Sequence, residues 1–335
     1  MFNLPKKAPL IAVWETINQH YPTAIGILFL ILALTTAIQP GVDLAYKTLL
    51  FVLALAAFTA YSELRRKVKW LPFLAITVPI YFAIQYLNVH GYELWGKMLS
   101  WEMSRNIVID LNPIFRRIPF NDAAFARQFQ SEPFTQFMRL VYANGFVVPA
   151  LVPIYRAMIA RDLHKILRYL LSAHIFQVFL ITPFYLTFHL QEVWYVLGEP
   201  DGMARNLTPA QAAGVTLNSF PSMHTSIAFA MFLVLLSEKN KFFKWLWGFF
   251  CLSVIFSTMY LEIHWVLDVL GGLILAFGTV KLVDRVLTKI ENWVPASLKA
   301  FYFNDIPTPP VPAPKPSTRK KYPAAGFLTH NEESL

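Results

Sequence analysis

Stretches of about 20 mostly apolar residues, the length a helix needs to cross a bilayer, recur along this chain. "AIGILFLILALTTAI" and "FFCLSVIFSTMYL" lie within two of them. Eight candidate spans can be drawn, near 23–40, 45–62, 70–89, 138–160, 166–188, 220–237, 242–261 and 264–283. In lipid every backbone polar group must be satisfied within its own segment. The expected fold class is therefore all-α, a polytopic membrane helical bundle of about eight transmembrane helices. Composition agrees. Of 335 residues, 56% are hydrophobic and 15% charged, against about 25% charged in an ordinary soluble domain.

The charges that remain are not scattered. "SELRRKVKW", "YRAMIARDLHKILR", "SEKNKFFKW" and "VKLVDRVLTK" are short, basic, and follow spans two, four, six and eight. With eight spans all four fall on one side, together with Lys6 and Lys7. The positive-inside rule makes that side the cytoplasm, with both termini there. It also accounts for the net charge of +9 without a nucleic-acid partner. The opposite side carries two longer loops, 90–137 and 190–219. "WEMSRNIVIDLNPIFRRIPF" in the first interleaves apolar residues with arginines, and reads either as an interfacial amphipathic helix or as a loop covering the bundle.

The expected organisation is N-terminal transmembrane helices over 1–90, an extracytoplasmic amphipathic or covering segment over 91–135, and a catalytic helical core over 136–290. A basic, Pro-rich, disordered tail follows over 303–335. The N-terminus lacks the ordered parts of a cleaved signal, so its first apolar run reads as a retained helix. One cysteine, Cys251, excludes an intramolecular disulfide. The first 90 residues carry no chemical signal.

The chemistry sits at two helix starts. "PSMH", Pro221 to His224, opens span six, and "HWVLD", His264 to Asp268, opens span eight. The loop charges place both at the extracytoplasmic face. His264 and Asp268 are four residues apart, which stacks them on one helix face. A carboxylate behind an imidazole fixes its tautomer and supports its charged form. A second imidazole can protonate a leaving oxygen. A serine and free N–H groups at a helix start suit an anion. Together these groups read as phosphoryl transfer through a phosphohistidine: His264 attacks, Asp268 orients it, and His224 protonates the leaving group. Ser222 and the N–H groups around Met223 hold phosphate oxygens. Alone, a His-x-x-x-Asp pair is ordinarily a structural hydrogen bond and Ser-x-His an ordinary cap. Ionisable groups at membrane depth are costly and mark function, and both pairs fall on one face. Zinc held by the two histidines and the aspartate is the competing reading. The phosphohistidine reading needs no metal and no cofactor.

These residues resemble the type-2 phosphatidic acid phosphatase superfamily, whose motifs are Lys-x6-Arg-Pro, Pro-Ser-Gly-His and Ser-Arg-x5-His-x3-Asp. The resemblance covers roughly 136–285. It implies His264 as nucleophile, Asp268 as its support and His224 as general acid. Met223 replaces the second motif's glycine, and Thr258, after Ser257, stands where the third motif has arginine; by position both are expected, with Ser222 and Arg205, to bind the substrate phosphate. The first motif is unrecognisable: Thr182-Pro183 would replace its Arg-Pro, with no lysine at the required distance. Pro-Ser-(Leu/Met)-His with Ser/Thr-x-Tyr-Leu looks like the branch that includes inositol phosphorylceramide synthase, related to sphingomyelin synthases. "LVYANGFVVPALVPIY" is similar to that branch's fourth-span region.

With those cations missing, Arg205, whose loop leads into Ser222, is the preferred substitute, and Arg116 and Arg117 are the alternatives. A phosphodiester carries one charge less than a monoester, which favours a phosphotransferase acting on a membrane phospholipid. A lipid phosphate or polyprenyl diphosphate phosphatase is the near-equal alternative. A non-catalytic lipid-binding or transport protein and a scaffold acting through the tail are the non-enzyme readings.

Overall fold

A computed structural model describes residues 7–65, 68–104, 108–217 and 219–295. These residues belong to one compact unit, Met1–Asp305. The expected tail, 303–335, and Lys6 lie outside the described residues. The fold is all-α. Its helices are α1 (Lys7–Ala37), α2 (Leu44–Ala60), α3 (Trp70–Met103), α4 (Asn112–Phe115), α5 (Glu132–Asn144), α6 (Val148–Ala160), α7 (Leu163–Leu170), α8 (Phe176–Tyr185), α9 (Val193–Leu197), α10 (Pro209–Val215), α11 (Met223–Leu235), α12 (Lys241–Tyr260) and α13 (Val266–Trp293). One two-residue parallel pair, β1 (Ile109–Asp110) with β2 (Phe188–His189), sets Ile109 opposite Phe188 and Asp110 opposite His189.

The all-α bundle of apolar helices expected from the sequence is what forms. Among the described residues, five helical stretches are long and apolar enough to cross a membrane, or six if the bent pair α5–α6 is one span. Two of the expected spans fall on shorter apolar helices, Trp70–Ala83 within α3 and Met223–Leu235. The reason at α11 is physical. It has 13 residues, about 20 Å of helix, because Pro221 and Ser222 before it are spent on a turn and a cap.

Side-chain size explains how the helices meet. α1 and α2 pack through buried alanines, among them Ala33, Ala54 and Ala57. Small residues are what let apolar helices approach closely. α5 and α6 are bent 60° apart at Gly145–Val147, with Pro149 in the first turn of α6, where its missing N–H costs nothing. α7 passes into α8 through a π-helical turn, Leu171–Ile175. The main core gathers around α11, with Ile227, Met231 and Val234 against α6, α12 and α13.

At the end of the bundle where α6 and α11 finish, a charged cluster is buried. Arg156, 1% exposed, donates to Glu238 at 2.7 Å and to Glu63 at 2.9 Å. Lys165 reaches both carboxylates and Tyr169 donates to Glu238. This cluster joins the ends of α2, α6 and α11 and the start of α7. The basic segments of the sequence are thus partly neutralised: Arg65 pairs with Asp162 and Arg168 with Asp284.

At the opposite end, residues 109–127 lie over the starts of α11 and α13. Within 101–120 the described residues divide between the end of α3 and a short segment around α4. α3 runs on to Met103, and α4 is a single turn.

Candidate active site

The start of α11 is built by its own short polar residues. Ser222 is the N-cap. Its hydroxyl accepts the Thr225 N–H at 3.3 Å and donates to the Thr225 hydroxyl at 2.9 Å. Such a cap satisfies one of the orphan donors of the first turn. The Ser222 N–H donates to the Asp268 carbonyl at 3.0 Å, so the first of the two sequence pairs is tied directly to the second. Met223 follows, buried, as the first helical residue. Tyr185, at the end of α8, donates to the Pro221 carbonyl at 2.9 Å.

The start of α13 is made by a tight turn. Tyr260 ends α12, and Glu262 takes a left-handed conformation, φ +58°. Ile263 and His264 then both donate their N–H to the Thr258 carbonyl, at 3.0 and 3.1 Å. Trp265 is the N-cap of α13, which places Asp268 in the first turn, where the helix dipole favours a carboxylate. Asn121 finishes this end. Its carbonyl accepts from Val266 at 2.8 Å and its side-chain oxygen from Leu267 at 2.9 Å. The covering segment therefore caps the helix that carries Asp268.

The two starts can meet because α13 has glycines there. A Cβ on Gly272 would lie 2.6 Å from the Ser222 carbonyl oxygen, and one on Gly271 would lie 3.1 Å from Pro221. At that approach His264 Nδ1 lies 3.2 Å from Asp268 Oδ2, with His264 5% exposed and Asp268 fully buried. With Nδ1–H donated to the carboxylate, Nε2 is left with its lone pair. The His224 and His264 rings are 6.2 Å apart, centre to centre. His224 stacks on Tyr142 at 4.4 Å and meets Phe146 edge-on at 5.4 Å. Both aromatics come from the α5–α6 bend.

Of the residues singled out in the sequence, the structure thus brings together His224, His264, Asp268, Ser222 and Met223. Thr258 is fully buried. Its hydroxyl donates to the Ile255 carbonyl at 2.7 Å, and its own carbonyl holds the His264 turn. Arg205 is held by Asp201 at 2.8 Å and Glu192 at 2.6 Å. Burial alone would raise the Asp201 carboxyl. The Arg205 guanidinium and the Met203 and Arg205 N–H groups outweigh it and hold the carboxyl below the usual range. The charge of Arg205 is therefore already balanced. Among the described residues, no three His, Cys, Asp or Glu side chains group as a metal set.

Tyr142, Phe146, Tyr185 and Asn121 were not read from the sequence. Tyr185 had a signal, since it lies two residues after the Pro183 aligned to the first motif. Asn121 had none, because it acts across 146 residues on Leu267.

Comparison with known families points to the same stretch. Residues 169–291 match the PAP2 superfamily model. All three catalytic candidates lie inside the match. Members of this superfamily are phosphatases and phosphotransferases acting on lipid phosphates, which is the enzyme class expected from the sequence. No curated protein and no solved structure matches the chain.

Proposed function

We propose that this protein is a membrane enzyme that moves a phosphate or phosphoalcohol group between lipids through phospho-His264. The observation that carries the reading is the buried His264–Asp268 pair with the His224 ring 6.2 Å away. In the first step His264 Nε2 attacks phosphorus and the P–O bond to the leaving group breaks. His224 gives that oxygen its proton. In the second step a hydroxyl oxygen attacks phosphorus, its proton passes to His224, and the P–N bond breaks. Asp268 balances the imidazolium formed on the way. Water as the second nucleophile makes a phosphatase; a lipid alcohol makes a phosphotransferase.

The transferase reading, similar to inositol phosphorylceramide synthase, is supported by what surrounds the pair. The cations of the standard motifs are replaced by Thr182 and Thr258, and Arg205 is neutralised by two carboxylates. A singly charged phosphodiester suits such a site better than a dianionic monoester. We place the site at the extracytoplasmic leaflet, on the basis of the basic segments at the other end.

The test is product analysis by mass spectrometry for the purified protein and its His264→Ala variant. Substrates are lipid monophosphates, polyprenyl diphosphates, and phosphatidylinositol with ceramide or diacylglycerol. A new head-group lipid lost in the variant supports the transferase, and free phosphate lost in the variant replaces it with the phosphatase. Equal product from both proteins removes His264 as nucleophile. Activity abolished by excess chelator and restored by zinc would favour a metal mechanism instead.

A further inference from the structure

The covering segment holds two arginines whose side chains make no ion pair among the described residues. Arg127 is paired with Glu262 at 3.1 Å. Arg139 donates to the Gly202 carbonyl at 2.8 Å and lies 3.9 Å from Glu132, and Arg205 is held as described. Arg116 and Arg117, by contrast, pair with no carboxylate among the described residues. They follow α4 and line a cleft of about 530 Å³ together with Asn112, Pro113 and Val196.

That cleft is tied to the catalytic pair at two points. Phe115, immediately before Arg116, packs edge-on against Trp265 at 6.1 Å and Phe220 at 5.8 Å. Trp265 follows His264, and Phe220 stands two residues before Ser222. Asn112 accepts the Gln191 N–H at 2.9 Å, and the Gln191 carbonyl accepts the Trp265 indole N–H at 2.9 Å. The same short segment carries exposed apolar side chains: Ile114 is 53% exposed and Phe120 79%. Paired guanidinium groups are suited to phosphate oxygens, and apolar residues around them are suited to acyl chains rather than to a free anion.

We propose that the Arg116–Arg117 cleft binds the phosphate of a membrane lipid and supplies the positive charge that the two motif positions lack. This assignment rests on the catalytic reading above. A ligand phosphate there would be gripped on the covering segment, and the two ties through Phe115 and Asn112 would align that segment with His264.

The test uses the full-length enzyme in mixed micelles with the lipid substrate found by product analysis. Arg116→Gln/Arg117→Gln and Arg116→Lys/Arg117→Lys are compared with wild type, each checked for an unchanged melting temperature. Losing charge-assisted bonds should raise KM for the lipid roughly tenfold to a hundredfold, with the larger part of the loss in KM. The lysine pair should recover part of it, since charge is kept but the bidentate fork is lost. Inorganic phosphate, added as competitor, separates the two sources of the anion. Unchanged KM for the lipid overturns the proposal. Weaker inhibition by inorganic phosphate with unchanged lipid KM also overturns it, because the cleft then binds the free anion alone. A wild-type enzyme without His264-dependent product overturns the catalytic reading and this one with it. His264-dependent product with an unmoved KM overturns this one only.

Discussion

His264 and Asp268 can do chemistry only if the proton between them stays on Nδ1. Asp268 is fully buried at 3.2 Å from that nitrogen, so its negative charge selects the tautomer and, in the proposed mechanism, would stabilise the imidazolium of the phosphoenzyme. Asp268→Asn keeps the shape and removes the charge. Loss of a carboxylate in this position costs on the order of 10⁴ in kcat, and that is the expected fall, with the melting temperature little changed. Near-wild-type turnover would reduce the pair to a structural hydrogen bond. His224 has a different signature. An acid matters in proportion to how badly the leaving group needs a proton. His224→Ala should lower turnover of an alkyl phosphoester by about 10²–10⁴ and that of a nitrophenyl ester far less, since nitrophenolate leaves unaided. Equal losses on the two esters would reject the acid role.

At the scale of elements, the two helix starts are positioned by what is absent from α13. With no Cβ on Gly272, the Ser222 carbonyl can sit where a methyl group would be 2.6 Å away. That oxygen belongs to the backbone and cannot swing aside. Gly272→Ala should therefore force α11 and α13 apart, at a cost of about 1–3 kcal/mol in stability. It should also widen the 6.2 Å gap between the histidines. Thermal melting should show the first effect and kcat the second, and an unaltered enzyme would mean the starts do not need this contact. Much of this arrangement was legible in the sequence. The apolar runs, the i,i+4 spacing of His264 and Asp268 and the Ser222 cap are local patterns, and each is present in the structure. Span length was less legible. Hydropathy alone extended α11 back through Pro221, where the chain turns instead. The partners of His224 and the cap supplied by Asn121 could not be read, because they depend on segments brought together from far along the chain.

For the whole molecule, the bundle separates the candidate site from a buried ionic network. One end holds the histidines, and the other holds Arg156, Lys165, Glu63 and Glu238 in a buried network. Read as loop residues, Arg156 and Lys165 were simple topological charges; in the fold they are spent on carboxylates from distant helices. Removing one partner of a buried pair leaves the other uncompensated and costs about 3–5 kcal/mol. Glu238→Ala should therefore lower the melting temperature sharply while the folded fraction keeps its KM, and a changed KM at full stability would tie this end to the site. Which end faces outward is a separate matter, and charge alone makes a weaker case once so many basic residues are paired. Two exposed positions decide it: Glu199 before the α10 loop and Lys239 between α11 and α12. Cys251 is buried, so a cysteine added at either place reads against a quiet background. A membrane-impermeant maleimide should label Glu199→Cys in intact cells and Lys239→Cys only after permeabilisation. The reverse pattern would turn the bundle over and place the phosphoryl chemistry in the inner leaflet. Labelling of both from one side would remove the separation of ends on which the assignment of the site to a single face depends.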